Sequence, residues 1–350
     1  MAQNQIGLEI GFDAVRAVEL GGGRSPNPVV LRYGEIAIPA GAFDRERIVE
    51  PEVIARAIKR LWRAERFTSR RVVLGTGNYR VTARDLTVPK MSLRRIRESL
   101  PFIAQELLPF PVEDAVLDFY PSALVPASGD REPEVSGLLV AILKEVIAGD
   151  MEVARLANLD PVGLDLIPFA ISRALNVGQH SDEVVAVIDV GATTTGIVIS
   201  RGAVPLFLRL LRAGGLDVTE ALTSRLPLSV AQAETVKRRI TITGTMPPDL
   251  ELAAGVASDT VGELLRSLRN TISFFNGSHA DLPISRIYLT GGGSRLGGFA
   301  KELATLTGLP VSPPRLSSSI SYGAGFAVSE FAASEGAFIP ALGLAIRGVS

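Results

Sequence analysis

Ile188-Asp189-Val190-Gly191-Ala192-Thr193-Thr194-Thr195-Gly196 closes the apolar run Val184–Val190, which has the composition of a buried strand. The strand ends at an acid, a glycine permits a tight turn, hydroxyl residues follow, and a second strand-like run, Gly196–Ser200, departs. Polyphosphate recognition needs this combination. Small residues let backbone N–H groups approach the oxygens, and hydroxyls donate further hydrogen bonds. An acid at the strand end, here Asp189, can orient Mg²⁺ through its waters. An ordinary hairpin with Gly and Thr in its turn would read the same way, so the segment alone leaves both open.

The same strand-acid-x-Gly shape opens the chain in Leu8-Glu9-Ile10-Gly11-Phe12-Asp13-Ala14-Val15. Its hydroxyls are missing. Phe12 offers only its backbone, and Asp13 would repel phosphate unless a cation or water intervenes. A plain hairpin is the stronger reading there. A third glycine turn lies late, in Ile287-Tyr288-Leu289-Thr290-Gly291-Gly292-Gly293-Ser294-Arg295-Leu296-Gly297-Gly298-Phe299. A strand runs into glycines and a helix is expected near Leu296. Glycine backbone lets a flat base or ribose lie against the chain, and a helix N-terminus can face phosphate. A Rossmann site would want an acid about 20 residues further on. After Glu302 the next is Glu330, so that reading is weak. No Gly-Lys pair occurs, which excludes a Walker A loop, and Gly-x-Ser-x-Gly is absent.

Strands and helices alternate between these turns, which predicts an α/β chain. Ile6–Phe12, Arg16–Leu20 and Val29–Ile38 read as strands, Pro51–Arg66 as a helix and Arg71–Gly75 as a strand. The second half repeats the order: Val184–Val190, Gly196–Ser200 and Ala203–Leu211 as strands, Leu216–Arg225, Ser229–Arg239 and Ala257–Phe275 as helices, then the strand Arg286–Thr290. The halves share an order of elements rather than a residue-level repeat. Between them, about residues 86–165 read as a small α/β insert. It holds the amphipathic segment Leu93–Leu108, an extended run Ala115–Leu124, a polar loop Ala127–Glu134, a strand Leu138–Leu143 and a helix Lys144–Ala157. The expected division is a first lobe 1–185, a second lobe 186–320 with a helical insert about 213–270, and a segment 321–350 returning to the first lobe.

Composition narrows the chemistry. The chain has 350 residues, is 47% hydrophobic and carries a formal charge of −1, so nothing global points to nucleic acid or an anionic surface. Without cysteine there are no disulfides, thiolate metal sites or cysteine nucleophiles, and His180 and His279 are too few for histidine metal clusters or a His-based triad. No signal peptide or membrane span is read, the tail Ala337–Ile346 being short and broken by Pro340, so a soluble, intracellular chain is expected. Lys59, Arg60, Arg63, Arg66, Arg70 and Arg71 could suit acidic partners, but a solvated helix face is the simpler reading. Phe274 and Phe275 read as core and His279 as solvated.

The order of the motifs says more than any one of them. Acid-Gly hairpin, insert, acid-Gly-Thr hairpin, insert and strand-Gly-Gly-Gly-Ser resembles the two-lobed actin/Hsp70/sugar-kinase superfamily. Within it, the whole chain resembles the type IV pilus assembly PilM family, relatives of FtsA. The resemblance rests on Leu8-Glu9-Ile10-Gly11 with Val15-Arg16-Ala17-Val18-Glu19-Leu20, on Pro89-Lys90-Met91, and on Glu106-Leu107-Leu108-Pro109-Phe110-Pro111 followed by Leu117-Asp118-Phe119. It also rests on Gly214-Gly215, Ala233-Glu234 and Lys237, and on the close Ala341-Leu342-Gly343-Leu344-Ala345-Ile346-Arg347.

The resemblance implies an actin-like fold that binds ATP or ADP with Mg²⁺ in the cleft between lobes. It implies a first phosphate loop at Gly11, Phe12 and Asp13 and a second at Asp189, Gly191, Thr193 and Thr194. Gly214 and Gly215 follow the second loop, Glu234 and Lys237 approach ribose and base, and Gly292, Gly293 and Ser294 flank the adenosine. Glu9 and Asp189 would serve the metal through water. It further implies a cytoplasmic scaffold of a type IV pilus or related type II secretion platform, with self-association among its expectations. Nucleotide would act as structural ligand or slow switch, and the chain would bind the N-terminal cytoplasmic peptide of a PilN-like inner-membrane protein between insert and first lobe. No nucleic acid and no direct membrane insertion are expected. The lost hydroxyls at Phe12–Ala14 count against hydrolysis.

Two rivals stand beside this. A sugar or small-acid kinase of the same superfamily needs a carboxylate general base, and no segment nominates one. An FtsA-like filament former would end in an amphipathic membrane helix, whereas Gly348-Val349-Ser350 is expected to follow a core-like strand directly.

Overall fold

A computed structural model describes residues 4–21, 27–45, 47–127, 132–177, 181–316 and 318–347. His180, Ser128–Arg131 of the polar loop, and the ends Met1–Gln3 and Gly348–Ser350 lie outside the described residues.

The chain opens with β1 (Gln5–Ile10), β2 (Ala14–Leu20) and β3 (Val29–Ala37), joined antiparallel in sequence order. Alternation in β2 feeds two cores. Val15 and Ala17 face one side, Val18 and Leu20 the other. Two short strands, β4 (Phe43–Asp44) and β5 (Arg47–Ile48), make a small hairpin ahead of α1 (Pro51–Ala64). That helix starts on a proline and buries Ile54, Ile58 and Leu61. Strand β6 (Arg71–Thr76) then pairs parallel with β1.

The insert follows. Strand β7 (Val81–Pro89), helix α2 (Leu93–Ile103), and strands β8 (Ala115–Val125) and β9 (Glu134–Leu143) form a separate three-stranded sheet in the order β7-β9-β8. Ile96 and Leu100 of α2 pack with Phe119, Leu139 and Ala141. The next elements, α3 (Lys144–Leu156) and β10 (Asp160–Leu166), lie within the stretch read as insert, yet β10 pairs parallel with β6 in the first sheet. A strand pairing of this kind is a long-range choice that local pattern does not record. Helix α4 (Ile167–Leu175) is buried at every residue except Arg173.

The second sheet repeats the plan with β11 (Val184–Val190), β12 (Thr195–Arg201) and β13 (Val204–Leu211). Helices α5 (Gly215–Arg225), α6 (Val230–Lys237) and α7 (Pro248–Ser278) follow, then β14 (Arg286–Thr290), parallel to β11. Helix α7 runs longer at both ends than the expected Ala257–Phe275. It buries Phe275 but leaves Phe274 64% exposed, so only one of the two is core. His279 stacks on the Phe275 ring at 4.3 Å between centroids rather than standing free in water. After a 3-10 turn at Gly292–Arg295, α8 (Phe299–Thr307) begins three residues later than expected, and β15 (Val311–Ser312) ends the sheet.

The sheets run β10-β6-β1-β2-β3-β16 and β13-β12-β11-β14-β15, where β16 is Ser321–Tyr322. The segments β6-β1-β2-β3 and β14-β11-β12-β13 are therefore the same motif twice. The last element, α9 (Val328–Arg347), corrects the expected terminal strand at Ala341–Arg347. Its residues Phe338–Ile346 are buried without a break, against α4 and the first sheet. An apolar run buried on all sides shows no 3.6-residue period, so strand and helix look alike in sequence. Among the described residues, no helix is long and apolar enough to cross a membrane.

Candidate nucleotide cleft

The two acid-Gly turns close in the same way. Gly11 N donates to Ala14 O at 3.0 Å, and Gly191 N donates to Thr194 O at 2.9 Å. A Cβ on Gly11 or Gly191 would stand 2.9 or 3.0 Å from those same carbonyls, which is why each turn holds a glycine. In the second turn Thr195 gives its hydroxyl to Ala213 O at 2.7 Å. The hydroxyls of Thr193 and Thr194 make no hydrogen bond within the described residues, so they remain for a ligand. In the first turn the Phe12 ring lies 5.8 Å from that of Phe43 on the β4–β5 hairpin. The missing hydroxyl is thus replaced by an apolar contact. The Asp13 side chain is exposed, 3.9 Å from Arg16 Nη2.

The strand-end acids, Glu9 and Asp189, are half-buried. Glu9 Oε2 has no hydrogen-bond partner. Burial pushes the Glu9 carboxyl up to about 8; Arg16 opposes the shift, and Asp189 and Asp13 reinforce it. Burial likewise pushes Asp189 up to about 6, again against Arg16. The two lobes therefore present carboxylates that feel each other and one guanidinium, itself paired with Glu35 through Nε at 2.5 Å.

Glycines distant in sequence meet behind Asp189. Gly215 N donates to Gly191 O at 2.9 Å and Leu216 N to Ala192 O at 2.7 Å. A Cβ on Gly214 would lie 2.4 Å from Ala192 O, and one on Gly293 would lie 2.6 Å from Val190 Cγ1. Gly291 takes φ +88°, and a Cβ there would reach Asp189 Oδ1 at 2.6 Å. Gly292, by contrast, has nothing within 4 Å and faces open space. Ser294, expected with Gly292 and Gly293 to flank the adenosine, donates its hydroxyl to Gly291 O at 2.7 Å, which closes the turn. Along one wall, Lys237 Nζ donates to Glu234 Oε1 at 2.6 Å, Thr219 Oγ1 at 2.7 Å and Gly215 O at 3.1 Å. Burial works against the Glu234 charge, but hydrogen bonds from Lys237 and Thr219 hold its carboxyl below the usual range.

These features suit a Mg²⁺–polyphosphate. The chemistry that fits is the orphaned Glu9 Oε2, the two unpaired hydroxyls of Thr193 and Thr194, and the open space beside Gly292. Among the described residues no three Asp, Glu or His gather as a cage. Mg²⁺ would therefore be held through water and phosphate oxygens, as that ion prefers.

Two glycine-turn lobes with this pairing define an actin-like fold. The MreB 5 protein of Spiroplasma citri, solved with AMPPNP, superposes with a TM-score of 0.55 over 98% of this chain and 95% of that one, at 11% identity. The chain belongs to the type IV pilus assembly protein PilM family, whose model matches residues 7–349. The chain of a PilM–PilN type IV pilus biogenesis complex matches over 100% of both chains at 33% identity, with a TM-score of 0.84. Cell division protein FtsA of Bacillus subtilis is 22% identical over 228 residues, which span 58% of this chain and about half (51%) of FtsA.

One contact across the cleft escaped the sequence. Arg45, in the β4–β5 turn at φ +50°, reaches the second lobe with Nη2 to Asp217 Oδ1 and Nη1 to Glu220 Oε2, both at 2.6 Å. Asp217 also caps α5 by accepting from Gly214 N at 2.7 Å. No residue pattern near Arg45 marks it, because the partners lie more than 170 positions away. Arg45→Ala should loosen lobe closure, with bound nucleotide released about tenfold faster in stopped-flow exchange of a fluorescent analogue. An unchanged off-rate would show that the pair does not restrain the cleft.

The acids also predict a pH effect. A carboxyl whose folded pKa is raised binds protons more tightly folded than unfolded, so its burial is free of penalty below the unfolded value. For Glu9 that stability is full below 4.5 and is lost as pH rises through about 8. Ligand-free protein should melt at lower temperature as pH climbs across this window, and Glu9→Gln should flatten the slope. Equal slopes in both proteins would remove Glu9 as the cause.

Proposed function

We propose that the protein is a cytoplasmic scaffold of a type IV pilus, or related type II secretion, assembly platform, recruited to the inner face of the inner membrane by the N-terminal peptide of a PilN-like protein. The observation that carries this is the end-to-end match, at 33% identity, with the chain of a PilM–PilN complex. In this reading the first lobe is 1–185, the second 186–320, and 321–350 returns to the first, with the insert drawn where its own sheet begins and ends, Val81–Leu143.

ATP or ADP with Mg²⁺ occupies the cleft. The Gly11–Asp13 and Gly191–Thr194 turns hold phosphate, with Thr193 and Thr194 donating. Glu9 and Asp189 take up the water shell of the metal, and Gly292 and Gly293 leave room for the adenosine beside Glu234 and Lys237. The nucleotide biases lobe closure because it binds the closed arrangement better. With Phe12 turned onto Phe43, the first loop has lost the hydroxyl that a fast phosphotransferase would use, so binding rather than turnover is the nucleotide's role.

Isothermal titration tests both halves: MgATP with wild type and Asp189→Asn, then a synthetic PilN N-terminal peptide with and without nucleotide. Asp189→Asn should weaken MgATP at least about tenfold while leaving the melting curve near wild type. Absence of peptide binding in either state would sink the partner assignment.

A further inference from the structure

Helix α1 carries a charge pattern that the cleft does not use. From Pro51 to Arg71 the chain has seven cations, Arg56, Lys59, Arg60, Arg63, Arg66, Arg70 and Arg71, against two carboxylates, Glu52 and Glu65. That local +5 sits in a chain whose formal total is −1, which leaves −6 elsewhere. The apolar stripe Ile54, Ile58 and Leu61 is buried, so Arg56, Lys59, Arg60 and Arg63, spaced i, i+3, i+4, i+7, share the outward face. Arg66 and Arg70 continue it past the helix end, and all of these except half-buried Lys59 are exposed.

Six of these cations also lack a carboxylate partner within the described residues. Some exposed arginines elsewhere are held by a carboxylate on their own helix, as in Arg94–Glu98 and Arg155–Glu152. Among the described residues, Arg56, Lys59, Arg60, Arg63, Arg66 and Arg70 have no such partner, not even Glu52 one turn before Arg56. A solvated helix face stabilised by its own salt bridges would look different.

We propose that this face of α1 is an electrostatic contact surface for the anionic lipid headgroups of a membrane. The inference rests on the reading that a membrane protein holds this chain at the bilayer. Charge complementarity selects the occupant. The segment carries +5 in a chain whose remaining residues sum to −6, so an extended anionic plane attracts the molecule by this face and orients it. The face also lacks an anchor for other partners. Its aromatic residue, Trp62, is half-buried, tilted against Phe67 at 4.9 Å between centroids, with Nε1 donating to Ser69 O at 2.9 Å. Protein interfaces draw on exposed aromatic anchors, and single-stranded nucleic acid on exposed rings for stacking. A headgroup layer needs neither. Tethering by a partner raises the local concentration at the bilayer, so a contact weak in solution becomes effective.

Vesicle flotation of the full chain decides this. Wild type should float with phosphatidylglycerol-rich vesicles at about 0.05 M salt, fail to float with phosphatidylcholine, and be released at about 0.5 M salt, where charges are screened over a few ångströms. The variant Arg56→Gln/Lys59→Gln/Arg60→Gln/Arg63→Gln should lose vesicle affinity at least about tenfold while keeping its melting temperature and its affinity for the PilN peptide. A second variant with the three arginines changed to Lys should retain binding. Equal flotation of wild type and the Gln variant, no flotation of wild type, or tighter binding to a duplex DNA of equal phosphate concentration would each overturn the proposal. The parallel peptide titration separates such a failure from failure of the partner reading.

Discussion

Asp165→Asn should destabilise the protein by about 3–5 kcal/mol, the usual cost of breaking a buried ion pair from one side. Asp165 lies at the end of β10 with 2% exposure. Its Oδ2 meets Arg173 Nη2 at 2.7 Å and its Oδ1 meets Arg347 Nη1 at 2.9 Å. Oδ1 also accepts from Leu166 N at 2.8 Å and from the Tyr120 hydroxyl at 3.3 Å. Burial first, and the Asp165 charge second, hold the Tyr120 hydroxyl well above its ordinary value, so it stays a donor. Asparagine keeps the size and removes the charge, leaving two guanidinium groups facing a neutral amide. For a chain of this length the loss corresponds to a fall in Tm of roughly 4–7 °C. Because Arg347 also approaches Asp118 Oδ2 at 3.6 Å, the cluster ties the insert to α9 and the first sheet. Peptide affinity should fall with stability. A shift in urea midpoint equivalent to less than about 1 kcal/mol would show the cluster to be replaceable.

Gly343→Val should be worse still, with little soluble protein or a loss beyond about 4 kcal/mol. Helix α9 touches its neighbours backbone to backbone. A Cβ on Gly343 would lie 1.8 Å from Ala170 O, and a Cβ on Gly7 would lie 1.9 Å from Ala341 O. Neither obstacle is a side chain that can turn aside, so α9 must leave α4. Arg173 Nη1, which donates to Gly343 O at 2.7 Å, would be displaced with it and pass the disturbance to Asp165. Gly336 is the control on the same helix. Nothing lies within 4 Å of it, so Gly336→Ala should be neutral or stabilise by about 0.5–1 kcal/mol through helix propensity. Comparable melting temperatures for Gly343→Val and wild type would refute the close-contact argument.

Much of the fold was legible because its signals are local. Val184–Val190 reads as strand from composition, and Gly191 and Gly11 read as turns because glycine relieves a contact within four residues. The cleft was legible only as a set of pieces. Gly191, Gly214–Gly215 and Gly291–Gly293 carry the same chemistry in sequence, yet they approach each other through hydrogen bonds and Cβ exclusions across about 100 positions. Ser294 carries a bond that residue type alone does not record, its hydroxyl donating within its own turn.

By itself the sequence determined the duplicated strand order, the acid and glycine of each turn, and the loss of hydroxyls from the first of them, because each depends on neighbours along the chain. Tertiary structure alone decided that β10 joins the first sheet, that Ala341–Arg347 is helix, that Arg45 spans the cleft and that Asp165 holds two arginines. Complete burial erases the periodicity that distinguishes helix from strand, and a charge pair leaves no local mark when its partners are brought together only by folding. The Gly191 turn on which the sequence reading rests thus supplies a tight glycine turn beside an acid, while the opposing Glu9 and the restraint of Arg45 on Asp217 and Glu220 come from the packing of one lobe against the other.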